Sequence, residues 1–326
     1  MRNLYRIAVS ALLLVMLGCA VPPTMKDVEQ IATDTRVVFG SVDVYVNDDK
    51  EKWGIKFTGS NYFYLTILPP DSNEAITYRL GKEGVFYWTL PPGEYTLLGY
   101  FWQNLQTERS GHIGTSFRVP DAGPDVYVGS IEFHGNVALL VPRIEDRFDQ
   151  IAALYDKKFP GRQGSTVKQL FEPPKALGSF SAYRGNCHDD WNIECDKRFR
   201  GVTPVSPEVG QSGFPVSNTL MPEFRWKGCK RGDVSYDLVL YEAAAYAVGG
   251  ATIPSYMRGR VAAYVEDLKQ PRWQPETPLK PDTRYFWSVR LREGDTVSGW
   301  STQSHSTFLL VYMSWGHGQW FQFKTA

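Results

Sequence analysis

The sequence has little that would mark an enzyme, a nucleic-acid binder or an integral membrane protein. Only four cysteines and five histidines occur in 326 residues. The histidines, His112, His134, His188, His305 and His317, are scattered, and no His-Glu-x-x-His pair is among them. A Gly-x-Ser-x-Gly elbow and a phosphate-cradling Gly-Lys-Ser/Thr loop are also missing. Charge of one sign is not in excess, with 35 basic against 35 acidic residues. Nucleic-acid partners call for a basic domain or stripe, so that class is set aside. The apolar run near the start, Ile7 to Leu17, spans eleven residues with Ser10 inside it. As a helix it would rise about 16 Å, too short for a hydrocarbon core of about 30 Å.

Aromatics, glycine and proline are what the sequence does contain. Aromatic residues make up 14%, and 29 Gly and 21 Pro accompany them, a balance that favours short strands and tight turns over long helices. The length allows two domains. The expected fold class is mainly β, with two antiparallel β-sandwich domains joined by a short helical, cysteine-bearing connector. The expected boundaries are 1–18 for a signal peptide, 19–35 for a tether, 36–143 and 202–326 for the sandwiches, and 144–201 for the connector.

Residues 1–18 combine a positive start (Arg2, Arg6) with the apolar run, and end in Met16-Leu17-Gly18 directly before Cys19. A charged start followed by a short apolar segment is a secretory signal. Met16-Leu17-Gly18-Cys19 resembles a lipobox, so the chain resembles the bacterial lipoproteins. The resemblance implies acylation of Cys19 and removal of the leader before it. Two or more acyl chains anchor stably where one does not. Ala20 differs from the Asp that retains such proteins in the inner membrane of enteric bacteria, which implies an outer-membrane address. Residues 20–35 are polar with two prolines, and a tether is expected there.

From Val37 the apolar residues alternate, the period of half-buried strands. Strands are expected at 37–46, 62–70, 75–80, 85–90, 94–102, 115–120 and 126–133, separated by Pro69-Pro70-Asp71, Pro91-Pro92-Gly93 and Asp121-Ala122-Gly123-Pro124. Phe86 to Tyr95 (FYWTLPPGEY) resembles the hairpin of transthyretin-like or carboxypeptidase-regulatory-like domains. Its prolines preset φ, and Gly93 supplies a position of positive φ.

A helix is expected over 144–159, with Phe148, Ile151, Leu154 and Tyr155 on one stripe, acid early and base late, and Pro160-Gly161 as the stop. The stripe is expected to pack on a sheet. Cys187, Cys195 and Cys229 follow, and export to an oxidising compartment favours a disulfide. A Cys187–Cys195 bridge would contribute about 2.5 kcal/mol by loop entropy, while Cys195–Cys229 and Cys187–Cys229 are equally legal chemically. The sharper alternative is zinc held by these cysteines with His188, but the spacing matches no common zinc pattern. Asp189, Asp190, Glu194 and Asp196 lack the order of a calcium loop. No cofactor is expected.

The segment 202–326 resembles a fibronectin type III domain. Pro222 to Trp226 resembles its B strand with the core tryptophan at Trp226. Ser235 to Glu242 alternates, with Tyr236, Leu238 and Leu240 on one face and Asp237, Val239 and Tyr241 on the other. Leu279 to Arg290 (LKPDTRYFWSVR) resembles the family's tyrosine corner, which implies a buried Tyr285 whose hydroxyl bonds upstream backbone. Gly299-Trp300-Ser301 resembles the approach to the last strand. Residues 243–262 lengthen the middle of the sandwich and 303–318 interrupt its end. His317 between two glycines is the most site-like histidine, and a flexible turn is the plainer account of it.

The expected function is a non-enzymatic envelope lipoprotein, held to the membrane by its lipid and meeting an envelope protein partner through its sandwiches. Two rivals are a glycan or peptidoglycan binder using Trp53, Trp102, Trp191, Trp300 and Trp315, whose faces could stack on sugars, and a hydrolase, which would need a nucleophile beside an oriented base.

Overall fold

A computed structural model of the chain describes residues 24–25, 27–28, 36–51, 54–56, 59–104, 108–135, 140–162, 166–172, 181–182, 202–209, 213–229, 234–247, 255–301, 303–309 and 312–326. These residues form two compact, mainly β units. One comprises Met1–Lys175 with Ala244–Met257, and the other Ala176–Ala243 with Arg258–Ala326.

The first unit contains β1 (Thr24–Met25), β2 (Val37–Val46), β3 (Asp49–Lys50), β4 (Gly54–Lys56), β5 (Gly59–Leu68), β6 (Ile76–Arg79), β7 (Val85–Thr89), β8 (Gly93–Asn104), β9 (Glu108–Val119), β10 (Asp125–Gly135), β11 (Leu140–Glu145), α1 (Phe148–Lys158) and β12 (Thr166–Lys168). One sheet runs β1-β6-β5-β8-β9 with β4 on β5, and the other runs β11-β10-β2-β3 with β7 on β2 and β12 on β10. Phe63, Leu65, Ile67, Tyr95, Leu97 and Phe117 from the first meet Val42, Val44, Trp88, Val128, Ile131 and Phe133 from the second in one core. The opposite face of the second sheet carries Val37, Phe39, Val85, Tyr87 and Tyr127, which Ile151, Tyr155 and Phe159 cover. β2 is buried on both faces for this reason, although its sequence alternates.

Three expectations change here. The sheets are not purely antiparallel: β2 and β10 pair in parallel over Val38–Val46, and β1 with β6 and β10 with β12 are parallel as well. Alternation reveals which face a residue takes but not the direction of its neighbour strand. The helix begins at Phe148 because Leu140–Glu145 pairs with β10 instead. Asp146 accepts the Phe148 N–H (3.1 Å) and the Tyr127 hydroxyl accepts the Arg147 N–H (2.9 Å), which closes the helix start. Of the expected stripe Ile151 and Tyr155 are buried, Phe148 packs at the edge, and Leu154 is 40% exposed. The helix therefore belongs to the first unit rather than to a connector. The tether, finally, is partly docked: β1 pairs with Thr77 and Tyr78, the Val28 N–H donates to the Tyr87 carbonyl (2.9 Å), and Asp27 accepts the Tyr87 N–H (2.8 Å) and the Tyr78 hydroxyl (3.0 Å).

The Leu-Pro-Pro-Gly turn is as expected. Gly93 has φ +145°, and a β-carbon there would lie 2.3 Å from Cγ of Pro70, so side-chain-free backbone is required twice over. The Tyr95 hydroxyl donates to the Pro91 carbonyl (2.9 Å), tying the turn to its own strand.

The second unit contains β13 (Ser181–Ala182), β14 (Pro204–Ser206), β15 (Val216–Ser217), β16 (Phe224–Trp226), β17 (Ser235–Tyr246), β18 (Ser255–Leu268), β19 (Arg272–Trp273), β20 (Arg284–Glu293), β21 (Thr296–Val297), β22 (Gln303–Leu309), β23 (Tyr312–Gln319) and β24 (Phe321–Thr325). The inner ends of the long strands, from Ala244 to Met257, count with the first unit, where Ala244 is buried with Leu68, Ala75 and Leu98. A three-stranded sheet, β14-β16-β19, contributes Phe224 and Trp226 to a core completed by Tyr236, Leu238, Leu240, Tyr285, Trp287, Val289, Phe321 and Phe323 of the larger sheet β13-β21-β20-β17-β18 with β24. Trp226 is thus a core residue and Tyr285 is buried, its hydroxyl accepting the Lys280 N–H at 3.0 Å. Residues 303–319 form a hairpin of their own, β22 with β23, and His317 lies in a strand rather than a turn.

Candidate functional site

Strand alternation sends half of the second unit's large sheet away from its core, and that outer face carries its charged and amphipathic residues. Asp237 and Tyr241 of β17 face outward, as do Arg290 and Arg292 of β20, Tyr264 and Arg258 of β18, and Trp320 before β24; Asp237 and Arg290 are cross-strand partners. Trp300 joins them from the 299–301 segment, whose position Ser301 sets. The Ser301 N–H donates to the Val289 carbonyl (2.9 Å), its hydroxyl accepts the Val202 N–H (2.9 Å), and its carbonyl accepts the Ser288 hydroxyl (2.7 Å).

The result is a ladder of cations and rings. The Arg258 guanidinium lies 4.2 Å from the Trp320 ring centroid and 5.9 Å from that of Tyr241. Trp320 meets Trp300 at 5.8 Å, Arg290 lies 4.6 Å over Trp300, and Tyr264 meets Trp300 edge-on at 6.4 Å. Each such cation–ring contact contributes roughly 0.5–2 kcal/mol, more as water is excluded. At one end sits a carboxylate out of water's reach. Asp237 accepts Arg290 Nε (2.8 Å), Arg292 Nε (2.7 Å) and Nη2 (2.8 Å), and the Asp267 N–H (3.1 Å). Two guanidiniums on one buried carboxylate leave a net cation, which Glu266 offsets through Arg292 (3.0 Å) and the Tyr264 hydroxyl (2.7 Å). Burial, then the bond to Glu266, pushes the Tyr264 hydroxyl well above its ordinary range, and the bond to Asp237 holds Arg292 firmly protonated.

Two further charged clusters belong to the first unit. Asp125, fully buried, accepts the Val37 N–H (2.8 Å), the Tyr155 hydroxyl, and Arg162 bidentately (2.8 Å twice), joining strand, helix and the turn after it. Arg147 bridges Asp43 (2.8 Å) and Glu132; Glu132 also holds His134 (2.9 Å), whose ring lies flat on Tyr45 at 4.7 Å. An imidazole oriented by a carboxylate is half of what a hydrolase needs. Two surface grooves are described on the second unit. The larger of these, about 550 Å³, is bounded by Glu223, Leu268, Lys269, Gln270, Arg272, Trp273 and Gln274.

Of the residues nominated from sequence, Cys19, Cys187, His188, Cys195, Trp53 and Trp191 fall outside the described residues, and for Trp315 only the backbone is described. Cys229 packs at the margin of the second core, where its N–H donates to the Tyr236 hydroxyl at 2.6 Å. Trp102 is no candidate for sugar stacking: it is 2% exposed, and its indole N–H donates to Asn61 (2.7 Å) inside the first core. Trp300 is half-buried, with Arg290 occupying one face. It forms no coplanar platform, since the planes of Trp300 and Trp320 are inclined by 39°. Among the described residues no group of three or more His, Cys, Asp and Glu could hold a metal ion, and no helix is long and apolar enough to cross a membrane. Sequence reading missed Arg258, Arg290 and Trp320; outward parity in strands next to Tyr241 was the available signal.

No family model matches the chain, and no curated protein matches it. Among solved structures, it is similar to the FN1–FN3 domains of chicken CNTN1 (10% identity, 86% of this chain and 64% of that one, TM-score 0.19). A two-domain fibronectin type III segment of chicken tenascin matches at 10% identity, over 76% of this chain and 86% of that one, with TM-score 0.18. A DUF3823 family protein of Bacteroides ovatus matches at 8% identity, over 89% and 98%, with TM-score 0.16. The chain thus spans under two thirds of the CNTN1 segment.

Proposed function

We propose that this chain is a lipid-anchored envelope protein, and that its exported part is a non-enzymatic protein-interaction module. The observation that carries the interaction reading is the outer face of the second unit, where Trp320, Trp300, Tyr241 and Arg258 gather half-buried on one sheet. Trp, Tyr and Arg in a partly desolvated cluster are the residues that dominate protein–protein binding energy. The anchor is Cys19, supported by the lipobox-like quartet behind an apolar run too short to span a bilayer. An outer-membrane address follows from Ala20 by the lipoprotein resemblance.

The second unit is proposed to be a fibronectin type III sandwich, supported by the Tyr285–Lys280 contact and by a core that pairs Trp226 with Tyr236 at 5.4 Å. The first is proposed to be a transthyretin-like sandwich, supported by the hairpin at Gly93. A disulfide is proposed among Cys187, Cys195 and Cys229, supported by the oxidising compartment that export implies.

Two measurements test the whole. Mass spectrometry of the native protein should find a diacylated or triacylated amino terminus at Cys19, and Cys19→Ser should abolish both acylation and membrane fractionation. Affinity capture from native envelope with the lipidated protein, beside a glycan-array screen, should recover one stoichiometric protein partner and no glycan. A free, unprocessed amino terminus would overturn the anchor, and glycan binding without a protein partner would overturn the module.

A further inference from the structure

We propose that Arg258, beside Trp320 and Tyr241, is the point at which the second unit captures an acidic side chain of its protein partner. This rests on the interaction reading above and deepens it by naming the contact.

The three ladder arginines are not alike. Arg290 and Arg292 share the buried carboxylate of Asp237, and Arg292 also reaches Glu266. Their charge is answered within the unit. Arg258 has the same stacked posture, 4.2 Å from the Trp320 centroid, yet among the described residues no carboxylate faces it. The titratable group beside it is the Tyr241 hydroxyl, and burial works against the charged form of both. A half-buried cation without a counter-charge is a costly arrangement.

Stacking satisfies none of the guanidinium's donors. A guanidinium over a ring presents its flat face, while its five N–H groups lie in the guanidinium plane and are left to other partners. That edge matches a carboxylate's two oxygens, and a bidentate pair is the strongest hydrogen-bonded contact a guanidinium makes. The rings favour it further, since Trp320 and Tyr241, edge-on to each other at 5.4 Å, keep water from the side of Arg258 that they cover and lower the local dielectric. Access is partial. Among the described residues β18 is the last strand of its sheet, and Arg258 keeps part of its surface in solvent. The chemistry is complementary to an Asp or Glu presented by a protein, with rings alongside to cover the acid's methylenes. Arg258 would be the anchor, and Trp320 and Tyr241 the rim that excludes water.

The test uses the full chain and a fluorescently labelled, end-blocked hexaglutamate peptide, followed by anisotropy at low salt, with hexalysine and polygalacturonate as comparison probes. Wild-type protein is expected to bind hexaglutamate and not hexalysine. Arg258→Lys keeps the charge but not the planar fork, and Arg258→Met keeps the stack but not the charge. Both should weaken hexaglutamate binding at least tenfold. Arg258→Met should unfold at the same temperature as wild type or higher, because it removes an unanswered charge and leaves the packing. Arg272→Met, away from the ladder, should bind as wild type does. The proposal is overturned if wild type does not bind hexaglutamate, if the Arg258 variants bind within twofold of it, or if polygalacturonate is the probe that depends on Arg258. Retention of the captured envelope partner by Arg258→Met would overturn this contact while leaving the interaction module standing. Absence of any partner in the capture experiment tells against the module itself.

Discussion

Single side chains decide much of this protein's stability, and buried carboxylates decide the most. Asp125 has no exposed surface and answers a backbone N–H, a tyrosine hydroxyl and both arms of Arg162. Replacing it with Ala would strand a guanidinium, and breaking such a pair costs about 3–5 kcal/mol. A urea titration of Asp125→Ala should show a correspondingly lower midpoint, and an unchanged midpoint would disprove the assignment. Asp27 behaves differently. Burial raises its pKa against the opposing pull of the Tyr87 N–H, the Tyr78 hydroxyl and Lys158, so the folded state holds the proton more tightly than the unfolded chain does. Its contribution is therefore greatest below the ordinary carboxylate pKa of about 4 and is lost as pH rises through the higher folded value. Intrinsic-rate-corrected hydrogen exchange at the Val28 amide should accelerate across that window, and Asp27→Asn should flatten the response.

At the scale of elements, the helix shows how a period can be right while its burial is not. Phe148, Ile151, Leu154 and Tyr155 share a stripe by spacing, but the sheet covers only part of it. Phe39, Tyr87 and Tyr127 reach Ile151, Tyr155 and Phe159, and Leu154 stays in water. Ile151→Ala should destabilise by about 2–5 kcal/mol through the cavity it leaves, and Leu154→Ala should change stability by less than about 0.5 kcal/mol. Comparable losses from the two in thermal or chemical unfolding would mean that the helix packs on a different face. The turns were the opposite case. Gly93 was identified from its neighbours alone because a turn's geometry is set within a few residues, and Tyr285 from the resemblance of its segment to a tyrosine corner.

For the molecule as a whole, the two proposed covalent features would set how it meets its surroundings. If Cys19 carries the lipid, five residue steps separate it from β1, and an extended chain covers at most about 18 Å in that distance. The first unit would then sit at the bilayer surface rather than on a long leash. A disulfide from Cys229 would close a loop of 34 or 42 residue spacings to Cys195 or Cys187. Reduction should cost the second unit roughly 3–4 kcal/mol on the loop-entropy account, read as a lower midpoint in denaturant with dithiothreitol. Cys229→Ser should reproduce the shift and remove its sensitivity to reductant; equal midpoints with and without reductant would exclude a stabilising bridge.

By itself the sequence determined most strand positions between Val37 and Gly135, the Leu-Pro-Pro-Gly turn, the core face of β17, and the mainly β class, because alternation and turn chemistry are local signals. Only the tertiary structure decided which strands run parallel, that the helix covers the first unit's second sheet, that the start of the tether is docked, and that Arg258, Tyr241, Trp300 and Trp320 stand together. Those four residues are up to 79 positions apart in the chain. Their meeting depends on strand order and register, which arise from long-range pairing and leave no period in the sequence.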